Sequence, residues 1–228
     1  VVVKFYRAER WSDAQILEEH AFTQELADHA LSVVPPTRRN GATLHHAQGF
    51  RFSVFPRRGG HAPELDNLDH LLVLGRTLGR IHRVGGAKAF QHRINMTTDT
   101  ALREGAEFLL REFVPTDLRP AYESLVDHCI NGVVDALENY GANDRQRIHG
   151  DCHSGNILWR DDIAHFVDLD DCLSGPVIQD LWMFLSGDRQ QRELQLAELI
   201  EGYSEFNDFN PKQVAWIEAL RTRRIMLH

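Results

Sequence analysis

The chain has 228 residues, of which 43% are hydrophobic and 25% are charged, and its formal net charge is −8. These fractions are typical of a folded globular protein with one large domain or two small ones, and they exclude a disordered chain. The acidic excess disfavours a general nucleic-acid binder or a protein held on an anionic membrane surface, and no apolar stretch approaches the roughly 20 residues that cross a bilayer.

The first part of the chain has the pattern of a small sheet with one helix. Val1–Tyr6 is rich in β-branched and aromatic residues, which predicts a buried strand. Ser12 is a candidate helix N-cap, with Gln15 at the capping-box distance, and apolar residues then recur at helical spacing. Two short strands are expected next, over 43–46 and 50–55, with a turn between them.

The loop Pro56–Gly60 is the best candidate for a boundary, because its composition is typical of a connecting loop. Beyond it the apolar spacing changes from that of strands to that of helices, so the larger part of the chain is expected to be mostly helical. The patterns predict helices over 68–81, 101–114, 119–140 and 177–206, and a strand–loop–strand passage over 147–168.

The cysteine content indicates a reducing environment. Cys129, Cys152 and Cys172 are three in number and far apart, so they do not form the pattern of a disulfide framework. We therefore expect a cytoplasmic protein with free thiols.

One passage carries a pattern of catalytic residues. His149, Asp151 and Asn156 have the spacing H-x-D-x-x-x-x-N of the kinase catalytic loop, and Asp168 follows a second apolar strand. In phosphoryl transfer the first Asp takes the proton of the acceptor hydroxyl, while the Asn and the later Asp hold Mg²⁺ on the phosphates. The joint pattern predicts Asp151 and Asp168 as catalytic residues and Asn156 and Asp168 as metal ligands.

This passage resembles the aminoglycoside phosphotransferase/choline kinase family, whose loop reads H-G-D-x-x-x-x-N before an apolar strand that ends in Asp. The resemblance extends over the whole chain, which looks in particular like a bacterial protein serine/threonine kinase of the stress response. It implies an α+β, protein-kinase-like fold of two lobes. Residues 1–58 would form a small antiparallel-sheet N-lobe, and residues 59–228 a mostly helical C-lobe. The segments that carry this further similarity are 1–6, 79–82, 158–160, 167–171 and 175–182.

The resemblance also implies a nucleotide site. Lys4 matches the lysine that holds the α- and β-phosphates of ATP. Glu19 matches the acidic partner of that lysine, and Glu18 is the adjacent alternative. Phe55 and Pro56 match the hinge where backbone groups meet adenine.

Several neighbours of the catalytic loop have expected supporting roles. His149 should support the loop by hydrogen bonding, and Asp180 should accept hydrogen bonds from the loop backbone. Cys152 is expected to be a small buried thiol. Asp170 and Asp171 are either further metal or substrate contacts or caps of the following turn.

The family pattern includes a glycine-rich hairpin before the lysine strand, and the printed sequence begins at that strand. We therefore expect the N-lobe to be incomplete, without this hairpin, and the C-lobe to be truncated near His228. Weak nucleotide binding is the expected consequence for the chain as given.

The favoured function is that of an ATP- and Mg²⁺-dependent protein serine/threonine kinase of the stress response, monomeric and without nucleic-acid or membrane partners. A small-molecule kinase for an aminoglycoside, choline or a sugar is the alternative, because an acidic pocket suits cationic substrates. A remote alternative is a two-metal hydrolase, since clusters of this composition can hold two metal ions. Its ligands would be His149, Asp151, His153, Asp168 and Asp170.

Overall fold

The computed structural model describes residues 1–96, 100–138 and 145–227. Its strands form a three-stranded antiparallel sheet and two antiparallel pairs, and helices make up most of the remainder. The strands are β1 (Val2–Tyr6), β2 (His45–Ala47), β3 (Phe50–Phe55), β4 (Gln146–Ile148), β5 (Ile157–Arg160), β6 (Ile163–Phe166) and β7 (Leu173–Gly175). The helices are α1 (Asp13–Asp28), α2 (Leu68–Gly85), α3 (Thr100–Glu112), α4 (Arg119–Glu138), α5 (Ile178–Trp182), α6 (Arg189–Ser204) and α7 (Ile217–Leu227).

The first sheet has the strand order β1-β3-β2, with Lys4 opposite Ser53. The prediction of a buried first strand was wrong, because the side chain of Phe5 is 62% exposed and Val3 is exposed as well. Successive side chains of a strand point to opposite faces, so Lys4 and Tyr6 face inward while Val3 and Phe5 face outward. A β-branched composition therefore indicated the strand correctly but not its burial.

Helix α1 begins as the sequence predicts. The backbone N–H of Gln15 donates to the Ser12 hydroxyl, and the Ser12 N–H donates to the Gln15 side chain at 2.8 Å, which completes a capping box. On its buried side, Ile16 packs in a small cluster with the sheet, whereas Phe22 and Leu26 belong to the main core. Because α1 contributes to both clusters, the buried core is not divided at residue 58, and the two-lobe division at that position stays a prediction.

Helices α2 and α6 pack closely along each other in the centre of the larger part. A Cβ atom built on Gly75 would lie 2.2 Å from the carbonyl oxygen of Leu199, and one on Gly202 would lie 2.2 Å from that of Leu72. Glycine is therefore needed at both positions, since any larger side chain would separate the two backbones. This close pair supports α5 and β4, which carry the site described below.

Most of the predicted helices are confirmed. The patterns over 68–81, 101–114 and 119–140 correspond to α2, α3 and α4, although residues 139 and 140, like residue 228, lie outside the described residues. The stretch predicted to be helical over 177–206 contains two helices, since α5 ends at Trp182 and α6 begins at Arg189. Asp188 is the N-cap of α6 in a capping box with Gln191, and Gly187 before it has a φ of 84°. Within the described ranges, no helix is both long enough and apolar enough to cross a membrane.

Candidate active site

The loop that carries the kinase-like spacing connects β4 to β5 and is held by a buried carboxylate. Asp180 on α5 has no solvent exposure. One of its oxygens accepts from the backbone N–H of His149, and the other from that of Gly150, each at 2.8 Å. His82 on α2 contacts the same carboxylate at 2.9 Å. The prediction that Asp180 accepts hydrogen bonds from the loop backbone is confirmed.

The loop is also tied to the strand that leads to Asp168. The ring Nε2 of His149 lies 3.0 Å from the carbonyl oxygen of Val167, to which it donates, and the backbone N–H of Val167 donates to the carbonyl of Asn156 at 3.0 Å. Gly150 has a φ of 84°, and a Cβ there would lie 2.2 Å from the carbonyl oxygen of Asp171. These contacts fix the loop against residues 167–171, and they confirm the supporting role expected for His149.

Asp168 adopts a backbone conformation that is unusual for a residue other than glycine. Its φ of 58° and ψ of 62° are left-handed, and no side-chain cap relieves this conformation. Non-glycine residues in this region are strained by about 1–3 kcal/mol and occur preferentially where function requires a particular side-chain direction. The carboxylate of Asp168 is 52% exposed, so a ligand can reach it.

A cavity of about 320 Å³ lies between the N-terminal sheet, α1 and the β5–β6 region. It brings together five of the residues that the sequence analysis assigns to nucleotide or metal: Lys4, Glu19, Phe55, Pro56 and Asp168. Asp151 and Asn156 do not line this cavity and are connected to it through the backbone contact of Asn156 with Val167. The remaining lining residues are Val2, Thr23, Val34, Arg58, Leu158, Val167 and Leu169.

Lys4 makes its direct contacts with carboxylates that follow β6. Its Nζ lies 2.5 Å from Oδ1 of Asp168 and 3.2 Å from Oδ1 of Asp170. Burial alone would lower the pKa of Lys4, but the charges of Asp170 and Asp168 outweigh it, so the pKa is raised. Lys4 is therefore a stable cation at the wall of the cavity, and Glu19 acts on it electrostatically. The role of Glu19 as its ion-pair partner stays a prediction.

The two adjacent acidic residues of α1 have different environments. Glu19 is 3% exposed and lines the cavity. Its burial raises its pKa to about 7. Glu18 instead accepts hydrogen bonds from the backbone N–H groups of Gln91, His92 and Arg93 at 2.5–2.8 Å. The carboxylate of Glu18 is thus used in fixing a loop, and Glu19 is the one of the two that the structure places at the cavity.

We expect Glu19→Gln to stabilise the protein at pH 8 and to have little effect at pH 4.5. A carboxyl whose pKa rises from 4.5 to about 7 on folding stabilises the folded state fully below pH 4.5, and this stabilisation is lost as the pH rises towards 7. The gain at pH 8 is at most about 3 kcal/mol. Burial lowers the pKa of His20 from 6.5 to about 4. The contribution of His20 to the unfolding free energy therefore rises with pH, opposite to that of Glu19, and it becomes visible in the Glu19→Gln variant.

Denaturant unfolding at pH 4.5, 6.5 and 8 measures this effect. Glu18→Gln is the matched control, because burial raises the pKa of Glu18 but three backbone donors outweigh it and lower the pKa. That control should lose stability at pH 8. Equal unfolding free energies of the wild type and Glu19→Gln at pH 8 would contradict the expected cost of ionising Glu19.

The oxygen donors beside the cavity fit a hard divalent cation such as Mg²⁺. The buried Oδ1 of Asp170 has no hydrogen-bond partner. Nζ of Lys4 lies within ion-pair distance of this oxygen but does not form a hydrogen bond with it. Asn156 uses its amide nitrogen on the backbone carbonyl of Asp151 at 2.9 Å, which leaves its amide oxygen as a donor to a cation. With Asp168, these groups offer oxygen ligands of the kind that Mg²⁺ prefers when phosphates complete its coordination.

The remaining predictions concern Cys152 and the hydrolase alternative. Cys152 is fully buried, and burial raises its pKa well above the usual value, so it is the small buried thiol that the sequence indicates. A two-metal hydrolase would need several protein ligands around its ions. Among the described residues, no group of three or more His, Cys, Asp or Glu side chains is arranged to hold a metal ion.

Three arginines at this site have no pattern in the sequence that indicates their role. Arg10 contacts Asp170 at 3.3 Å and Asp171 at 2.5 Å, so Asp170 and Asp171 act as ion-pair partners. Arg93 donates to the backbone carbonyl of Asp170. Arg224 on α7 forms an ion pair with the carboxylate of Asp151. Arg10 and Asp171 are 161 positions apart along the chain, Arg93 and Asp170 are 77 apart, and Arg224 and Asp151 are 73 apart. No local sequence pattern links residues at such separations.

Comparison with known sequences identifies related proteins over the whole chain. Residues 1–217 match the model of APH, the phosphotransferase enzyme family. A relative from Shigella flexneri named stress response kinase A is 43% identical over 233 residues, which cover 100% of this chain and 69% of that protein. A relative from Salmonella typhimurium named serine/threonine protein kinase RdoA is 41% identical over 228 residues, again with 100% and 69% covered.

Comparison with solved structures concerns the fold, because the sequence identities are low. Amicoumacin kinase hAmiN, in complex with AMP-PNP, Ca²⁺ and Ami, has a TM-score of 0.82 at 20% identity, with 99% of this chain and 72% of that chain covered. A microcompartment-associated aminopropanol kinase has a TM-score of 0.76 at 20% identity, with 99% and 75% covered. The predicted α+β, protein-kinase-like fold is confirmed.

Proposed function

This chain belongs to the APH phosphotransferase enzyme family and is a kinase, and we propose that it transfers the γ-phosphate of ATP, in the presence of Mg²⁺, to serine or threonine hydroxyls of proteins. The observation that carries this proposal is the fixed geometry around Asp151, Asn156 and Asp168. The loop of Asp151 and Asn156 is held by buried hydrogen bonds, and Asp168 lines a cavity whose wall carries the cation of Lys4. Positioned charges of this kind are the main requirement of phosphoryl transfer.

In this proposal the cavity binds the nucleotide. Phe55 and Pro56 lie at its edge, at the end of β3, where they would contact adenine. Lys4 would hold the α- and β-phosphates, since its pKa is raised and it remains charged. Its ion-pair partners in the structure are Asp168 and Asp170. On nucleotide binding, phosphate oxygens would replace some of these carboxylate contacts.

Asn156 and Asp168 would hold Mg²⁺, and Asp170 supplies a further buried oxygen without a hydrogen-bond partner. A bound cation would neutralise part of the negative charge of the phosphates. Asp151 is the base: its carboxylate takes the proton of the acceptor hydroxyl as the bond between the acceptor oxygen and phosphorus forms. The bond between phosphorus and the oxygen of the β-phosphate breaks, and ADP leaves with that electron pair.

The acceptor class rests on the two curated relatives at 41–43% identity, both of which cover the whole chain. One is named as a serine/threonine protein kinase and the other as a stress response kinase. The solved small-molecule kinases share 20% identity with this chain, so they bear on its fold and not on its acceptor. We therefore propose protein hydroxyls as the acceptors and a role in a stress response.

Transfer of label from γ-labelled ATP tests the proposal. The protein, expressed at full length, is incubated with a basic protein rich in serine and threonine and, in a parallel reaction, with an aminoglycoside. Each reaction is run with Mg²⁺ and with a chelator. We expect Mg²⁺-dependent label on the protein substrate, in phosphoserine or phosphothreonine. Transfer to the aminoglycoside alone would instead establish a small-molecule kinase, and phosphate release without transfer would contradict both assignments.

A further inference from the structure

We propose that Arg224 is a positioning residue for phosphoryl transfer: its guanidinium holds one oxygen of Asp151 so that the other oxygen faces the acceptor hydroxyl. This inference rests on the proposed function of Asp151 as the base. It assigns a role to a residue of α7 that is 73 positions away in sequence, and that the kinase-like spacing does not include.

The contacts of the Asp151 carboxylate are unequal at its two oxygens. Oδ1 accepts a hydrogen bond from Nη1 of Arg224 and is its ion-pair partner. Oδ2 has only longer contacts, 3.4 Å to Nδ2 of Asn156 and 3.5 Å to Nε2 of His153. Because Oδ1 is firmly held and Oδ2 is not, Oδ2 is the oxygen that can accept the proton of a bound hydroxyl.

The Arg224–Asp151 pair differs from an ordinary surface ion pair. The two side chains are 31% and 22% exposed, and Nη1 of Arg224 also lies 4.0 Å from the sulfur of Met183, just after α5. Helix α7 itself is fixed, since Leu220 is 2% exposed and belongs to the main core. A guanidinium held in this way restricts the rotation of the Asp151 side chain, whereas exposed pairs gain little from their mutual attraction.

The loss of Arg224 is expected to change the orientation of the Asp151 carboxylate. A general base acts only when its oxygen lies within hydrogen-bonding reach of the proton, and a displacement of about 1 Å can cost 10²-fold in rate. Without Arg224 the Asp151 carboxylate keeps its neighbours on Oδ2 but loses its anchor on Oδ1. The expected defect is therefore a slower chemical step, with nucleotide and acceptor binding preserved.

The test compares Arg224→Ala, Arg224→Lys and Arg221→Gln in the label-transfer assay. We expect Arg224→Ala to lower kcat by about 10–100-fold with the KM values for ATP and acceptor within about twofold of wild type. Lysine should restore part of the rate, since it keeps the charge but lacks the planar fork. Arg221→Gln is the matched control on the same helix: Arg221 pairs with Glu218 at 3.0 Å rather than with Asp151, and its loss should leave kcat unchanged.

Rescue of the transfer rate by guanidinium ions distinguishes a positioning role of Arg224 from a merely structural one. Because the Arg224 side chain is 31% exposed, millimolar guanidinium should enter the space left in Arg224→Ala and restore rate saturably, with no effect on the wild type. Unchanged kcat in Arg224→Ala overturns the inference, and so does a raised acceptor KM at full kcat, which would make Arg224 an acceptor-binding group. Lower activity that neither lysine nor guanidinium restores also overturns it.

The failure of this inference can be distinguished from failure of the proposed function. If the wild type transfers no phosphate to any acceptor, the proposed function fails, and the pair is then tested by a double-mutant cycle on unfolding free energy. The cycle uses Arg224→Met, Asp151→Asn and the double variant. Non-additive effects support a direct anchor on Asp151, whereas additive effects overturn it without any reference to activity.

Discussion

Replacing Asp168 with alanine is expected to abolish Mg²⁺-dependent phosphoryl transfer by this protein. The triphosphate and the cation need a carboxylate, and Asn156 is a neutral ligand that cannot supply the missing charge. Asp168 is also the residue that the backbone holds in a left-handed conformation beside Lys4, with φ at 58°. Because this charge is lost at the cation itself, we expect a loss of more than about 10³-fold in kcat/KM.

Two measurements separate this loss from misfolding. The unfolding free energy of Asp168→Ala should stay close to that of wild type, because the carboxylate is half exposed and its ion pair with Lys4 is partly solvated. Calorimetric titration with an ATP analogue should show weaker binding when Mg²⁺ is present. The exposed Asp66 offers a control, since Asp66→Ala removes an equal charge from a residue that does not line the cavity. Normal turnover by folded Asp168→Ala would refute the metal-ligand assignment.

Replacing Asp151 with asparagine is expected to slow transfer by about 10²–10⁴-fold, which is the usual contribution of a positioned general base. Asparagine keeps the size of the side chain and can still accept a hydrogen bond from Arg224. It cannot take the proton of the acceptor hydroxyl. Since Asp151 does not line the cavity, the affinity for nucleotide should be almost unchanged.

Asn156→Ala is the comparison that separates the loss of a base from the loss of a metal ligand. Its loss should weaken apparent Mg²⁺ affinity as well as rate, because its amide oxygen is the group expected to bind the cation. Single-turnover rates and Mg²⁺ titrations of the two variants measure the difference. If Asp151→Asn lost nucleotide and metal binding while Asn156→Ala kept both, Asp151 would be a metal ligand, and the match to the kinase loop would be a coincidence of spacing.

The residues that line the cavity are the part of the candidate site that sequence similarity grouped best. Lys4, Glu19, Phe55, Pro56 and Asp168 come from four separate segments, and they line one cavity. Their placement follows from local rules: strand alternation turns Lys4 inward, and helical periodicity puts Glu19 on the buried face of α1. The ion pairing of Lys4 with Asp168 and Asp170 did not follow from any such rule.

The sequence by itself determined the features that depend on neighbours along the chain. The Ser12 capping box, the apolar stripe of α2 and the spacing of Asp151 and Asn156 all involve residues within about one or two helical turns or within one short loop. Such contacts form whenever the local backbone adopts its preferred conformation, so the residue types alone indicate them. The predicted burial of β1 was wrong, and the break between α5 and α6 was not predicted, because composition does not say which face a neighbouring element covers.

Only the tertiary structure decided which charges meet. Arg10 and Arg224 reach the carboxylates of Asp171 and Asp151 across 161 and 73 positions of the chain, and Arg93 reaches the backbone carbonyl of Asp170 across 77. An arginine on a helix or loop has the same local pattern whether it faces water or a carboxylate, since its long side chain is compatible with both. Its partner is chosen by how α7 and the catalytic loop pack against the shared core, and this packing depends on many weak contacts between distant segments.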